Sequence, residues 1–151
     1  MTTTQDKLGA YSTHQRKDEN SRETDARALL SCASRLKNVL DAGGSDFVEY
    51  GEAIRHNQRL WTIFQVALCD PDNPLPRDLK ITLLNLSRYI DRVSLRAMAE
   101  FAPQILNSLI DINRRIAAGL SVKQPQQAQQ PPAAPGPSTP PPGVTSVMTT
   151  A

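Results

Sequence analysis

Few side chains in this sequence stand at spacings that carry chemistry. Cys32, Cys69, His14 and His56 are the cysteines and histidines of the chain, and they lack the short paired spacings of a zinc site. Cys32 falls on the apolar stripe of a helix and Cys69 at a helix end, so both thiols are expected to pack as small inert hydrophobes. His56 has no carboxylate or nucleophile spaced to orient it as a base. The chain also lacks a Gly-rich phosphate loop, a nucleophile elbow and a His-Glu-x-x-His helix. The expectation is a protein without enzymatic activity, metal or cofactor.

Two other sets of residues carry more weight. Arg88, Arg92 and Arg96 stand four apart, which places them on one helix face as a ridge for phosphates or an acidic partner, or as an ordinary solvated face. Lys80 continues a similar line, Asp91 interrupts it, and only Tyr89 offers a stacking aromatic nearby. Asn57 and Asn113 instead occupy positions in otherwise apolar seams. A buried amide without partners is costly, and such residues often fix register. The two asparagines are expected either to face each other across two helices or to bond to backbone. Trp61, one turn beyond Asn57, is read as core.

These residues must be held by helices, because the apolar positions recur at three and four residues throughout. Ala26, Leu29, Ala33, Leu36 and Leu40, widened by Leu30, Cys32 and Val39, predict a helix from about Thr24 to Ala42, stopped by Gly43 and Gly44. Asp46 and Glu49 have the form of a capping box opening a second helix, whose stripe is Tyr50, Ile54, Asn57, Trp61, Phe64 and Leu68 and whose end is Asp70-Pro71. Pro71, Pro74 and Pro76 exclude helix from the next segment, with Pro76 placed at the first position of a third helix. That helix carries Leu79, Leu83, Leu86, Ile90, Val93 and Ala97 as its core stripe. Pro103 opens a fourth, with Leu106, Leu109, Asn113, Ile116 and Leu120 supplemented by Ile105, Ile110 and Ile112. Four amphipathic helices with short connections make an all-α protein, a small antiparallel helical bundle.

The chain has 151 residues with 17 Lys or Arg against 15 Asp or Glu, a net charge of +2 that does not by itself indicate a nucleic-acid or membrane-surface protein. Eight of its twelve prolines lie from Pro125 onward. Residues 121–151 therefore read as a disordered Pro- and Gln-rich tail, residues 1–20 as a mostly disordered polar segment, and residues 21–120 as the one folded domain. The start lacks the pattern of a secretory signal, and no apolar run is long enough to span a bilayer, so a cytoplasmic location is expected.

Three stretches go beyond a generic bundle. Asn57, Gln58, Arg59, Leu60 and Trp61 form the first; Asp70, Asn73, Leu75 and Pro76, with Leu79 after them, form the second. Leu109, Asp111, Ile112 and Asn113, with Ile116, Gly119 and Leu120, form the third. In this order and spacing they resemble the signature segments of the flagellar biosynthesis regulator FlaF family, and Ala10-Tyr11 and Arg22-Glu23 are similar to its N-terminal part. Two departures stand out: Ser21 occupies a place where the family often has proline, and the Pro-rich tail is an extension.

The resemblance implies a non-enzymatic cytoplasmic regulator that promotes flagellin production and export alongside the flagellin-mRNA regulator FlbT. A helical bundle with an apolar groove is suited to cover an amphipathic flagellin helix. Ile81, Leu84, Leu95 and Ile112 exceed what one narrow seam needs and are the candidate groove residues, a wider core face being the other reading. Two further possibilities stay open at this point. One is RNA binding through Arg88, Arg92 and Arg96, and the other is a scaffold acting through FlbT.

Overall fold

The computed structural model describes residues 4–122. They form α1 (Thr4–Asp41), α2 (Phe47–Cys69), α3 (Arg77–Glu100), a single 3-10 turn (Pro103–Ile105) and α4 (Leu106–Ser121), with no strand among the described residues. The all-α reading holds. The Pro-rich tail expected at 121–151 lies, apart from Ser121 and Val122, outside the described residues.

The helix ends follow local chemistry. The carboxylate of Asp46 accepts from the backbone N–H groups of Val48 and Glu49, both at 3.0 Å, satisfying two of the orphan donors of α2. The expected reciprocal half of the capping box is absent. The Glu49 carboxylate instead takes two bonds from the Arg35 guanidinium of α1, at 2.6 and 3.0 Å, because a charged fork outcompetes one neutral N–H. Asp70 ends α2 and Pro76 immediately precedes α3, one residue outside the position predicted for it. Between them Asn73 acts as a clamp, donating to Ala67 O and accepting from Leu75 N. Asp70 accepts from Asp72 N in the same turn.

The first helix starts about twenty residues before its apolar period does, at Thr4, so residues 4–20, read as disordered from their composition, are helical. Residues 12–20 are all exposed, and Ala26 is the first buried residue. Their sequence carries no apolar stripe, in keeping with that exposure. This half extends a helix already nucleated by the core half, where each added residue gains a bond without the cost of a new nucleus.

The four helices run alternately up and down, α1 beside α2 and α4, and α3 beside α2 and α4, with α2 and α4 diagonally opposed. The core comprises Leu29, Leu36, Ile54, Trp61, Ile90, Leu106 and Leu109, all at most 1% exposed, around smaller neighbours. The α1 and α4 backbones approach most closely, with Ala26, Ala33 and Ala117 among the residues buried in these two helices.

Helix α3 departs from its predicted stripe. Its buried residues are Ser87, Ile90, Ser94 and Ala97; Leu83, Leu86 and Val93 are half-buried and Leu79 is exposed. The helical spacing turns Ser87 and Ser94 toward the same side as Asp91, which meets Gln65 of α2, so the small side chains lie where α2 and α3 approach. The bulkier Leu86 and Val93 lie on the other side, toward α4, where the backbones are farther apart. Two smaller corrections follow from burial: Leu30 is exposed instead of widening the α1 core face, and Cys69 is exposed, whereas Cys32 is buried as expected.

Candidate functional site

At the centre of the bundle, the two asparagines meet. Asn113 of α4 donates from Nδ2 to Asn57 Oδ1 of α2 at 2.6 Å, and Asn113 Oδ1 accepts from Trp61 Nε1 at 2.9 Å. All three side chains are essentially unexposed, and the Trp61 ring also meets Phe64 edge-on at 5.5 Å. The chain of bonds crosses the diagonal of the bundle and fixes the register of α4 against α2. One donor is left over, since Asn57 Nδ2 has no partner among the described residues, and Ser94 Oγ of α3 has none either. This polar seam is closed to solvent and ties α4 to α2.

Among the described residues no three His, Cys, Asp or Glu side chains are grouped as metal ligands. Burial pushes the Cys32 thiol above its usual range, despite the opposing effect of nearby Arg35, which makes it a poor nucleophile. The Tyr50 hydroxyl is likewise raised by burial, and it donates to the Ala97 carbonyl of α3 at 2.7 Å. Tyr50 therefore ties α2 to α3 and is not positioned for acid or base work.

The remaining candidates are surface features. Arg88, Arg92 and Arg96 are exposed on the outer face of α3, as their spacing requires. Arg96 is held by Glu100 at 3.0 Å, whereas Arg88 and Arg92 have no ion pair among the described residues. Of the four groove candidates, Ile81 is 46% and Leu95 61% exposed, and Leu84 is half-buried, all on α3. Ile112 instead packs against the core from α4. The structure thus keeps three of them on one helix and does not bring Ile112 to the same surface.

The signature stretches sort the same way. Asn57, Trp61, Leu109 and Asn113 are core, Leu60 is half-buried against it, and Asp70, Asn73 and Leu75, followed by Pro76, build the loop before α3. Arg59, Asp111 and Gly119 are exposed.

Sequence reading missed a second apolar region. Phe47 and Val48, at the start of α2, are 69% and 77% exposed, and Ile63 and Val66 farther along it are 63% and 70% exposed. Phe47 packs against Phe101 in a tilted arrangement with ring centroids 4.7 Å apart, and Phe101 also meets Tyr50 at 4.8 Å. Phe101 holds a left-handed backbone, φ 45° and ψ 57°, rare for an aromatic residue. Farther along α2, a surface cleft of about 640 Å³ is lined by Arg55, Gln58, Arg59, Thr62 and Ile63 together with Asp91 of α3. A signal existed in the off-stripe apolar residues of α2, but only the packing of α2 against α3 shows that they share a surface.

Compared with protein families, the chain matches one described as flagellar protein FlaF over residues 7–120. No curated protein and no solved structure matches the chain.

Proposed function

From the premise that this chain belongs to the FlaF family of flagellar proteins, we propose that it is a non-enzymatic cytoplasmic chaperone that binds flagellin and so promotes its production and export. The observation that carries this reading is the apolar surface left uncovered on α2 and α3. Phe47, Val48, Ile63, Val66, Ile81 and Leu95 are each between 46% and 77% exposed. A monomer rarely leaves so many large apolar side chains on two neighbouring helices unless they meet a partner. Flagellin ends are amphipathic helices that need cover before assembly, and a helical surface with anchors at one-turn intervals suits them.

The absence of any helix long and apolar enough to cross a membrane among the described residues is compatible with a cytoplasmic site of action. A second reading, RNA binding by the outer face of α3, is favoured by the unpaired Arg88 and Arg92. In the third, the protein is a scaffold that acts through FlbT. Titration of the purified chain against flagellin and against flagellin leader RNA, at low and high salt, separates them. The chaperone reading predicts a flagellin complex that survives salt. Tight RNA binding that falls steeply with salt, without a flagellin complex, would overturn it, and binding of neither without FlbT would favour the scaffold.

A further inference from the structure

Helix α3 buries little for its length. Of its 24 residues, Ile90 is the one large apolar side chain that is fully buried, the other buried residues being Ser87, Ser94 and Ala97. Leu83, Leu86 and Val93 reach the interior only in part. By contrast α4, with 16 residues, buries Leu106, Leu109 and Ile110. Neither buried serine ties α3 to another helix: the Ser87 hydroxyl donates back to Leu84 O of its own helix at 2.7 Å, and Ser94 Oγ has no partner among the described residues. Among those residues, the two side-chain hydrogen bonds between α3 and the rest of the bundle both reach α2. Tyr50 donates to the Ala97 carbonyl at 2.7 Å and Gln65 to the Asp91 carboxylate at 3.0 Å.

Both ends of α3 are cut off from the elements beside it. Pro76, which has no N–H to donate, precedes the helix, and no side chain caps the first turn. The turn before Pro76 stays with α2, because Asn73 donates to Ala67 O and accepts from Leu75 N. At the other end Phe101 has a left-handed backbone at φ 45°, costly for an aromatic residue, and Pro103 opens the next turn. The chain can therefore turn at Leu75–Pro76 and at Phe101–Ala102 without breaking a helix. Moving α3 aside also hydrates buried polar groups. With α2 and α4 diagonally opposed, α1 and α3 are the helices that close the diagonal on which Asn57 and Asn113 meet. Water admitted there reaches Asn57 Nδ2 and Ser94 Oγ, both without partners in the closed bundle, and restores the solvation they lost on burial. What holds the cover shut is the burial of Ile90, the bond from Tyr50 and the ring contacts of Phe101 with Phe47 and Tyr50.

We infer that α3 is a hinged cover, which opens as a unit while α1, α2 and α4 stay packed, at a lower free energy than global unfolding. The open form is a minor population in equilibrium with the closed bundle, and it bares the polar seam of Asn57, Asn113 and Trp61. This goes beyond the chaperone reading and does not depend on it.

The test is native-state hydrogen exchange of the full chain, resolved by residue. Central amides of α3 should be at least about tenfold less protected than those around Leu29 to Leu36 in α1 and Leu109 to Asn113 in α4, and less sensitive to low denaturant. Ala33→Gly weakens α1, which packs on α4. It should speed exchange in α1 and α4 roughly fivefold and leave α3 unchanged, because α3 opens without disturbing them. Tyr50→Phe removes the hydroxyl tie to Ala97 and should speed exchange in α3 roughly fivefold. Thiol labelling gives a second readout, since Cys69 is exposed and reacts at once whereas Cys32 is buried. In Ser94→Cys the introduced thiol should react at least about tenfold faster than Cys32, each taken relative to its rate in the unfolded chain. Equal protection of α3 and α1, acceleration of both alike by Ala33→Gly, or labelling of the two buried thiols at one rate would show that α3 leaves only with the whole fold, and would overturn the assignment.

Discussion

Asn113 serves two neighbours at once, accepting from Trp61 and donating to Asn57. Asn113→Ala would strand the indole N–H and the Asn57 carbonyl together and leave a cavity, whereas Asn57→Ala strands only the Asn113 amide and removes a donor that is already unpaired. We therefore expect Asn113→Ala to cost about 3 kcal/mol and Asn57→Ala about 1 kcal/mol less. Denaturation followed by fluorescence checks this, since Trp61 is the sole tryptophan, and equal costs would contradict the bonding order. At the surface, Arg35 holds the Glu49 carboxyl below its usual range through their hydrogen bonds and charge. A depressed carboxylate contributes stability above its unfolded value and loses it as pH falls through the carboxylate range. Glu49→Gln should accordingly lower the melting temperature slightly near pH 7, and the difference from the parent should vanish near pH 3. That the two asparagines meet was legible from their places in two apolar seams. The diversion of Glu49 to Arg35 was not, because the competing donor sits on another helix.

At the scale of elements, the turn joining α1 to α2 depends on two glycines with left-handed backbones, Gly43 at φ +65° and Gly44 at φ +68°. An alanine Cβ at Gly43 would meet open space, so Gly43→Ala should cost only the backbone penalty, about 1 kcal/mol. At Gly44 the same Cβ would also press on Phe101 and Pro103, at 3.0 and 3.2 Å. Gly44→Ala should cost about 1 kcal/mol more than Gly43→Ala and displace the exposed Phe101 ring, which thermal melting and the aromatic resonances would report. Helix α2 was legible almost to the residue, because Asp46 and Pro71 mark its ends in local chemistry. The buried face of α3 was not. Ser87 and Ser94 are chosen by the close approach of α2, and a small polar residue gives no apolar signal until its neighbour's position is known. The Phe47 and Phe101 corner was hidden for a similar reason, since each aromatic lies off its helix's core stripe and they meet only when α2 and α3 pack.

Across the whole molecule, the bundle accounts for every buried residue among the described ones, and the first of these is Ala26. Residues 12–20 of α1 are all exposed, and the Pro- and Gln-rich composition of the tail does not suit it to a packed core. A chain trimmed of residues 1–20 and 124–151 should therefore melt within a few degrees of the full protein, as a calorimetric scan would show. The number of helices and their alternation were plain from apolar period and proline placement. The length of α1 was not, because its outer half carries no apolar period. What the molecule does follows from the surface the bundle leaves uncovered, and the most direct test is a calorimetric titration of the full chain with monomeric flagellin at several temperatures. The account predicts one saturable complex with a negative heat-capacity change from apolar burial, little altered by salt. Absence of binding, or binding with no heat-capacity change and a steep loss in salt, would contradict it.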